Sequence, residues 1–174
     1  MAKVYLLTGL SGAGKTTLSM GIFERNKEGM PLLVIDGDEI RSSLSSDLGF
    51  QKADRIENLR RCGEIARIAS RQGITVLLAM IAPYEMGRRM LRDILGDALE
   101  IIYVECPLEE CKRRDVKGNY KKARMGELKN YTGIDDIYEA PGDATITVDT
   151  VKLTIQEAIE ICATFIGRNV SHSL

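Results

Sequence analysis

An eight-residue segment near the N-terminus, Gly9–Thr16, matches the pattern G-x-x-x-x-G-K-[ST] at every position. A short apolar run, Val4–Thr8, comes directly before it, and a helical pattern over Thr16–Lys27 follows it. Glycines allow the loop to wrap closely, so that its N–H groups face inward, and the helix adds the positive end of its dipole. This order of strand, loop and helix predicts an α/β domain that binds a nucleoside triphosphate.

The rest of the chain continues the alternation of short apolar runs with longer helical patterns, which predicts a five-stranded parallel sheet with helices on both faces. The predicted strands are Val4–Thr8, Leu32–Ile35, Thr75–Ile81, Leu99–Val104 and Thr145–Val148. The predicted helices are Thr16–Lys27, Asp54–Gln72, Glu85–Leu95 and Leu108–Arg114, with a last helix whose apolar face runs from Ile155 to Ile166. Thr154 and Glu157 form a capping box at the start of that helix. The length of 174 residues fits a single three-layer domain over residues 1–174.

Composition excludes several classes of partner. The net charge is -1, so nucleic acid is a poor candidate. The longest apolar run, Ile74–Ala82, is far shorter than the ~20 residues of a membrane helix, and the N-terminus has no cleavage-site pattern. The four cysteines contain no C-x-x-C pair, and the one histidine is His172. This pattern favours free thiols in a cytoplasmic protein over a metal site.

The phosphate loop assigns roles to its own residues. Lys15 is expected to reach the β- and γ-phosphates of ATP, and the Thr16 hydroxyl to ligate Mg²⁺. The predicted ATP-binding residues of this region are Gly9, Ser11, Gly12, Ala13, Gly14, Lys15, Thr16 and Thr17. An inactive relic of such a loop is the alternative.

Two carboxylates, Asp36 and Asp38, follow the second predicted strand and are separated by a glycine. They are expected at the carboxyl end of the sheet, where α/β proteins bind their ligands. No carboxylate ends the third predicted strand, so Asp36 is the candidate for hydrated Mg²⁺ and Asp38 for the group that accepts or positions the proton of an acceptor hydroxyl. With Lys15, these are the predicted catalytic residues. A plain Asp-Gly turn is the alternative.

The segment Lys117–Asp143 is rich in charged residues and lacks a sustained apolar period. Connections of more than ~12–15 residues in a compact domain are usually functional or disordered. Together with the basic residues before it, this segment predicts a mobile lid over about residues 112–143. An ordinary solvated charge run is the alternative.

A series of motifs follows the phosphate loop along the chain. With the loop itself, they are Gly9–Thr16, Asp36-Gly37-Asp38 with Ile40-Arg41, Asp47-Leu48-Gly49-Phe50, Asp54-Arg55-x-Glu57-Asn58-x-Arg60-Arg61, Ile81-x-Pro83-Tyr84, Pro107-Leu108-Glu109, Arg114-Asp115-x-Lys117-Gly118-x-Tyr120-x-Lys122-Ala123-Arg124 and Thr132-Gly133-Ile134-Asp135. They span most of the chain from Gly9 to about Pro141. In these motifs and in their order, the chain resembles the adenylyl-sulfate (APS) kinase family.

The resemblance implies a kinase that transfers the γ-phosphoryl of MgATP to the ribose 3′-hydroxyl of APS, giving 3′-phosphoadenylyl sulfate and ADP. It implies a homodimer as well. It places Arg114 in the ATP site, with the lid. The acceptor-binding residues that it implies are Asp38, Arg41, Phe50, Arg55, Asn58, Ile81, Lys121, Tyr131 and Thr132.

These residue types suit the implied acceptor on chemical grounds. Phe50 and Tyr131 can stack on an adenine, and such stacking is worth roughly 1–3 kcal/mol per base. Arg41 and Arg55 carry planar guanidinium groups suited to phosphate and sulfate oxygens. Asn58 lies one helical turn after Arg55 on the same face and is expected to join the two arginines on these oxygens.

The chain departs from the family pattern at three positions. Glu39 follows Asp-Gly-Asp where asparagine is common, Ala82 stands where the family usually has serine, and Tyr131 replaces a phenylalanine. Glu39 and Ala82 favour an alternative, a kinase of the same build acting on a related nucleotide or another small acceptor. A nucleotide-binding switch without kinase turnover is a further alternative, against which the lid and the two aspartates argue.

Overall fold

The computed structural model describes residues 1–171. Its sheet has five parallel strands in the order β2-β3-β1-β4-β5. The strands are β1 (Val4–Thr8), β2 (Leu32–Asp36), β3 (Thr75–Ala79), β4 (Leu99–Glu105) and β5 (Ile146–Asp149). The predicted fold class is confirmed. Four of the five strands have a boundary that is shifted by one or two residues from the prediction.

Seven α-helices are described along the same residues. They are α1 (Lys15–Asn26), α2 (Gly37–Arg41), α3 (Lys52–Arg71), α4 (Glu85–Leu95), α5 (Leu108–Arg114), α6 (Asn119–Arg124) and α7 (Ile155–Ser171), with one 3₁₀ turn at Gly96–Ala98. The capping box at the start of α7 is present, since the Glu157 N–H donates to Thr154 Oγ1 at 3.3 Å and the Thr154 N–H donates to Glu157 Oε2 at 2.8 Å.

The core lies in two layers, one on each face of the sheet. Successive side chains of β1 alternate between them, because a strand points its side chains to opposite faces. Tyr5 and Leu7 pack with residues of α1 and α7, whereas Val4 and Leu6 pack with residues of α3 and α4. The central strands are buried on both sides, which explains their continuous apolar sequences.

The structure differs from the predicted elements in two ways. The third strand ends at Ala79 rather than at Ile81, because the chain leaves the sheet there and Ala82 has a φ of 43°. Two short helices, α2 and α6, were not predicted. A side-chain carboxylate accepts hydrogen bonds at the start of each helix. Asp36 accepts from the Asp38 N–H of α2, and Asp115 accepts from the N–H groups at the start of α6.

All four cysteines are free and buried, namely Cys62, Cys106, Cys111 and Cys162. His172 lies outside the described residues. Among residues 1–171, no helix combines the length and the apolar character that a bilayer crossing requires.

Candidate active site

A cavity of about 400 Å³ opens at the carboxyl ends of the first three strands. The phosphate loop follows β1, α2 follows β2, and residues 80–83 follow β3, so three neighbouring strands each deliver a segment to it. Parallel α/β sheets bind ligands at this edge, because the loops of adjacent strands converge there. The lid segment covers the remaining side through residues of 115–131.

The structure brings most of the predicted site residues to this one cavity. Those that line it are Ser11, Gly12, Gly14, Lys15, Thr16, Thr17, Asp36, Asp38, Arg41, Phe50, Arg55, Asn58, Ile81 and Tyr131. Five others do not line it: Gly9, Ala13, Arg114, Lys121 and Thr132. Gly9 and Ala13 still belong to the loop backbone, and Arg114 Nη1 lies 3.4 Å from the Gly12 carbonyl oxygen.

The phosphate loop needs its glycines for steric reasons. Gly12 and Gly14 have φ values of 80° and 105°, in the region that glycine adopts most readily. A Cβ at Gly9 would lie 2.4 Å from the carbonyl oxygen of Val104 on the neighbouring strand. The loop backbone therefore packs against β4 and turns back toward the start of α1.

Lys15, the first residue of α1, is largely buried inside the loop. Its Nζ donates to the carbonyl oxygens of Gly9 at 2.9 Å and Leu10 at 2.8 Å. Burial lowers the pKa of Lys15 to about 8, and the nearby Asp38 carboxylate opposes that shift. The ammonium group is thus held beside the carboxylates of the site, and its charge depends on pH near 8.

Thr16 and Asp36 meet at the floor of the cavity. The Thr16 hydroxyl donates to Asp36 Oδ2 at 2.7 Å, while Asp36 Oδ1 accepts from the Asp38 N–H at 2.9 Å. A hydroxyl and a single carboxylate fit Mg²⁺, which binds one or two protein oxygens and completes its shell with water and substrate phosphates. Within the described residues, there is no cluster of three or more His, Cys, Asp or Glu side chains that could hold a metal ion.

Asp38 points into the cavity and contacts the lid. Its Oδ2 accepts a hydrogen bond from Lys117 Nζ, and the Asp38 carboxylate raises the pKa of Lys117 above its usual value. Both side chains are more than half exposed, so the pair is accessible from the cavity. Surface ion pairs of this kind contribute little energy and exchange readily.

Two arginines place positive charge on the acceptor side. Burial and the neighbouring Arg55 both lower the pKa of Arg41. Arg41 Nη1 donates to the Gly49 carbonyl at 2.7 Å, and among the described residues it has no ion pair with a carboxylate. Arg55 is closer to an acid, with Nε 3.7 Å from Asp136 Oδ2. Two adjacent guanidinium groups with so little counter-charge favour an anionic ligand.

Aromatic and amide groups complete this side of the cavity. Phe50 is 52% exposed, and the Arg41 guanidinium carbon lies 4.8 Å from its ring centroid. The Tyr131 ring packs edge-on against Tyr120 at 5.1 Å. Asn58 is 2% exposed, and its Oδ1 has no hydrogen-bond partner among the described residues. An unpaired buried amide oxygen at a cavity is available to a ligand donor.

Arg55 has a structural role that the sequence analysis did not predict, and its partner Asp136 was not predicted at all. Arg55 Nε donates to the Phe50 carbonyl at 3.1 Å, and Arg55 Nη2 donates to the Asn130 carbonyl at 2.6 Å, next to Tyr131. Arg55 therefore ties together the two chain segments that carry the predicted stacking rings. Asp136 faces Arg55 and accepts a 2.5 Å hydrogen bond from the Tyr84 hydroxyl. No local signal marks Asp136, because its partners lie far away in sequence.

The lid is anchored to the phosphate loop through α6. Tyr120 is almost fully buried, and its hydroxyl donates to the Ser11 carbonyl at 2.9 Å. Lys121, next in the helix, is exposed and lies outside the cavity lining. Thr132 is buried, and its hydroxyl has no partner among the described residues.

The departures from the family pattern differ in their positions. Ala82 lines the cavity, and so does Tyr131. Glu39 is exposed on α2 and does not line it. Of the two positions that favoured a different acceptor, only Ala82 therefore lies at the cavity.

Comparison with known proteins identifies the relatives of this chain. Residues 1–149 match the family model described as adenylylsulphate kinase. The adenylyl-sulfate kinase of a Picosynechococcus strain is 49% identical over 154 residues, which cover 88% of this chain and 86% of that protein. The adenylyl-sulfate kinase of an Escherichia coli strain is 45% identical over 163 residues, covering 91% and 81% of the two chains.

A solved structure has the same fold over nearly the whole length. The APS kinase CysC of Mycobacterium tuberculosis, in complex with AMPPNP and APS, superimposes with a TM-score of 0.87 at 36% identity. The match covers 92% of this chain and 95% of that one. That structure contains an ATP analogue and the acceptor together.

Proposed function

The chain belongs to the adenylyl-sulfate kinase family, and from that premise we propose that its cavity binds MgATP beside the phosphate loop and APS beside Arg41 and Arg55. The family's activity, transfer of the γ-phosphoryl of ATP to APS, is the activity of this chain. The observation that supports the assignment of residues is the convergence of three groups on one cavity. These groups are the phosphate loop, two aspartates and two arginines.

The ATP half of the cavity is the loop with its helix. The inward N–H groups and the dipole of α1 favour a triphosphate, and Lys15 adds a positive charge that can move from the loop carbonyls to phosphate oxygens. Arg114 is held at the edge of this half, because Nη2 donates to the Thr150 carbonyl at 2.8 Å. In that position its guanidinium plane can border the nucleotide.

Mg²⁺ would be held by Thr16 directly and by Asp36 through its hydration shell. When bound, the ion neutralises charge on the β- and γ-phosphates as the phosphoryl group is transferred. The hydrogen bond between Thr16 and Asp36 already places the two oxygen donors side by side. The same Asp36 side chain caps α2 and so fixes the direction in which Asp38 points.

The acceptor half takes APS by two different interactions. Arg41 and Arg55 face the anionic phosphosulfate, whereas Phe50 and Tyr131 are suited to stack on the adenine. Asn58 contributes an acceptor oxygen that needs a donor, so we assign it to an N–H or O–H group of the substrate rather than to an anionic oxygen. This differs from the sequence-based expectation that Asn58 joins the arginines on the anion.

Asp38 positions the 3′-hydroxyl in line with the γ-phosphate and accepts its proton as transfer proceeds. Lys117 leaves Asp38 when the hydroxyl arrives, and its ammonium group stays near the phosphates as the lid closes. Transfer is direct, since catalysis of this type depends on positioning and charge stabilisation rather than on a covalent intermediate. The closed lid keeps water from competing with the acceptor.

Likeness to the family supports two further proposals, a homodimer and a cytoplasmic location. The mass of the purified chain in light scattering tests the first. A mass of a single 19.3 kDa chain at assay concentration would exclude the dimer.

ADP release, measured with and without acceptor, tests the proposed function. We expect little ADP from MgATP alone, and fast release with formation of 3′-phosphoadenylyl sulfate when APS is added. AMP, adenosine and a simple sugar serve as alternative acceptors, and Lys15→Ala serves as the inactive control. Hydrolysis that is independent of APS would support a nucleotide switch. A response to another acceptor but not to APS would support the diverged kinase.

A further inference from the structure

The segment that follows β3, residues 81–83, forms a wall of the cavity, and each of its three carbonyl groups is held by a different part of the chain. The first carbonyl accepts from Thr8 Oγ1 at 2.5 Å. The second accepts from Arg88 Nη1 at 2.8 Å, and the third accepts from the Glu139 N–H at 2.8 Å. We call residues 81–83 the wall segment. Its shape is therefore fixed by β1, by α4 and by the C-terminal part of the lid segment.

The wall segment needs this support because of its middle residue. Ala82 has a φ of 43°, a conformation that L-residues other than glycine, asparagine and aspartate seldom adopt. Such a conformation persists only where the surroundings impose it, and such residues cluster at functional sites. Ala82 is 7% exposed and lines the cavity, so its turned backbone is part of the cavity surface.

Arg88 is unusual for a charged residue in a core. It is 3% exposed, and its Nε has no hydrogen-bond partner. Among residues 1–171, the described hydrogen bond of its side chain is the one to the Ala82 carbonyl, and no carboxylate forms an ion pair with it. A buried guanidinium without a carboxylate costs free energy. We therefore expect Arg88 to have a role that offsets this cost. Its described side-chain hydrogen bond is with the wall segment.

The wall segment belongs to the acceptor side. In the register of the sheet, Asp36 at the end of β2 lies opposite Ala79 at the end of β3. The wall segment thus emerges beside the two aspartates and lines the same cavity as Arg55 and Asn58 of α3.

We propose that Arg88 is a positioning residue for the acceptor: by holding the Ala82 carbonyl, it keeps the wall segment in the shape against which APS binds. This inference rests on the proposed function, because it takes the wall segment as part of the APS site. Arg88 itself does not line the cavity and touches no substrate. Its loss should therefore raise the KM for APS and leave the KM for ATP nearly unchanged.

The central test compares Arg88→Met, which keeps the length and removes the donors, with Arg88→Lys, which keeps a donor and the charge. We expect Arg88→Met to raise the KM for APS about tenfold or more, since a lost charge-assisted hydrogen bond is worth that factor. Arg88→Lys should recover part of the loss. Arg89→Met is the matched control, because Arg89 lies next to it on α4 and is exposed. That control should behave as wild type.

A second pair of variants keeps the test valid if Arg88→Met fails to fold. Thr8→Val removes the hydroxyl that holds the first carbonyl of the wall segment, and it should raise the KM for APS in the same direction. Glycine adopts a positive φ without the support of the Arg88 hydrogen bond. Adding Ala82→Gly to Arg88→Met should therefore lower the KM for APS again. A purely structural role of Arg88 predicts no such selective rescue.

The outcomes separate the inference from the proposed function. A folded Arg88→Met, or a folded Thr8→Val if the former does not fold, with an unchanged KM for APS would overturn the inference. An equal rise in the KM values of both substrates would overturn it too. Phe50→Ala distinguishes a failure of the inference from a failure of the proposed function. If Phe50→Ala raises the KM for APS and Arg88→Met does not, only the inference fails. If Phe50→Ala also has no effect, the acceptor site itself is misassigned.

Discussion

Lys117 of the lid forms an ion pair with Asp38 at the far side of the cavity. The contact joins α2 to the first part of the lid, so the proposed proton acceptor is engaged by a cation before the acceptor hydroxyl arrives. Because Asp38 is largely exposed, the substrate hydroxyl can displace Lys117 at small cost. This relationship makes Asp38 the most direct residue to test.

Asp38→Asn keeps the shape of the side chain and removes its ability to accept a proton. We expect turnover at saturating substrates to fall on the order of 10²-fold or more. ATP binding, measured by calorimetry, should change little, because the phosphate loop is untouched. If ATP affinity collapses while turnover survives, the roles of Asp36 and Asp38 have been exchanged.

Lys15 should make ATP binding dependent on pH near 8. Its pKa in the free protein is about 8, because burial disfavours the charged form. Phosphate oxygens favour the charged form, so bound ATP raises that pKa and the complex takes up a proton. Affinity for ATP therefore falls as the pH rises through 8.

Calorimetry in buffers of different ionisation enthalpy measures this proton. At pH 8 we expect an uptake of about half a proton per ATP bound, since a group at its pKa is half protonated. Lys15→Ala should abolish the uptake and nearly all turnover, because it removes charge stabilisation that strengthens in the transition state. An uptake that persists in Lys15→Ala would assign the proton to another group.

The parts of the site that sequence could predict are those with a local signal. The phosphate loop lies in one continuous segment, and the helix after it begins within one residue of the predicted start. The amphipathic period of α4 extends over its eleven residues, and this helix has the predicted bounds. The start of α2 depends on one side-chain cap from Asp36, which a helix of five residues does not reveal as a period.

The supporting contacts were out of reach for a different reason. The Thr8 hydroxyl bonds to a carbonyl 73 residues away, and Arg55 bonds to one 75 residues away. Such pairs form because elements pack together at the carboxyl edge of the sheet, and no residue spacing in the sequence predicts them. The residue types of the site could therefore be predicted, whereas the framework that holds them could not.

Asp36 performs two functions that substitution can separate. Asp36→Asn keeps an oxygen that can cap α2, because asparagine is as good an N-cap as aspartate. It lowers the negative charge beside Thr16, so we expect half-maximal activity to need a higher Mg²⁺ concentration at nearly unchanged thermal stability. Asp36→Ala loses the cap as well and should lower the free energy of unfolding by about 1 kcal/mol. An unchanged Mg²⁺ requirement in Asp36→Asn would exclude Asp36 from the metal site.

Tyr131 differs from the family's phenylalanine by one hydroxyl. That hydroxyl is buried and makes no hydrogen bond of normal geometry among the described residues, although burial raises its pKa and the neighbouring Ser11 and Asn119 oppose that shift. An unpaired buried polar group destabilises the folded state by about 1–3 kcal/mol. Tyr131→Phe should therefore keep or raise the melting temperature. The KM for APS should stay the same, because stacking uses the ring face. A clear loss of stability would show that the hydroxyl has a partner, such as a bound water.

Ala82 decides the chemical route of transfer. A covalent phosphoryl-enzyme needs a nucleophile on the protein, and a serine at this place in the wall segment could serve as one. The methyl group of alanine has no lone pair, so the phosphoryl group must pass directly from ATP to the acceptor hydroxyl in one ternary complex. Incubation with γ-labelled ATP in the absence of APS, followed by denaturation, measures the route. We expect no label on the protein and normal transfer once APS is added, whereas stoichiometric label that APS can discharge would overturn direct transfer.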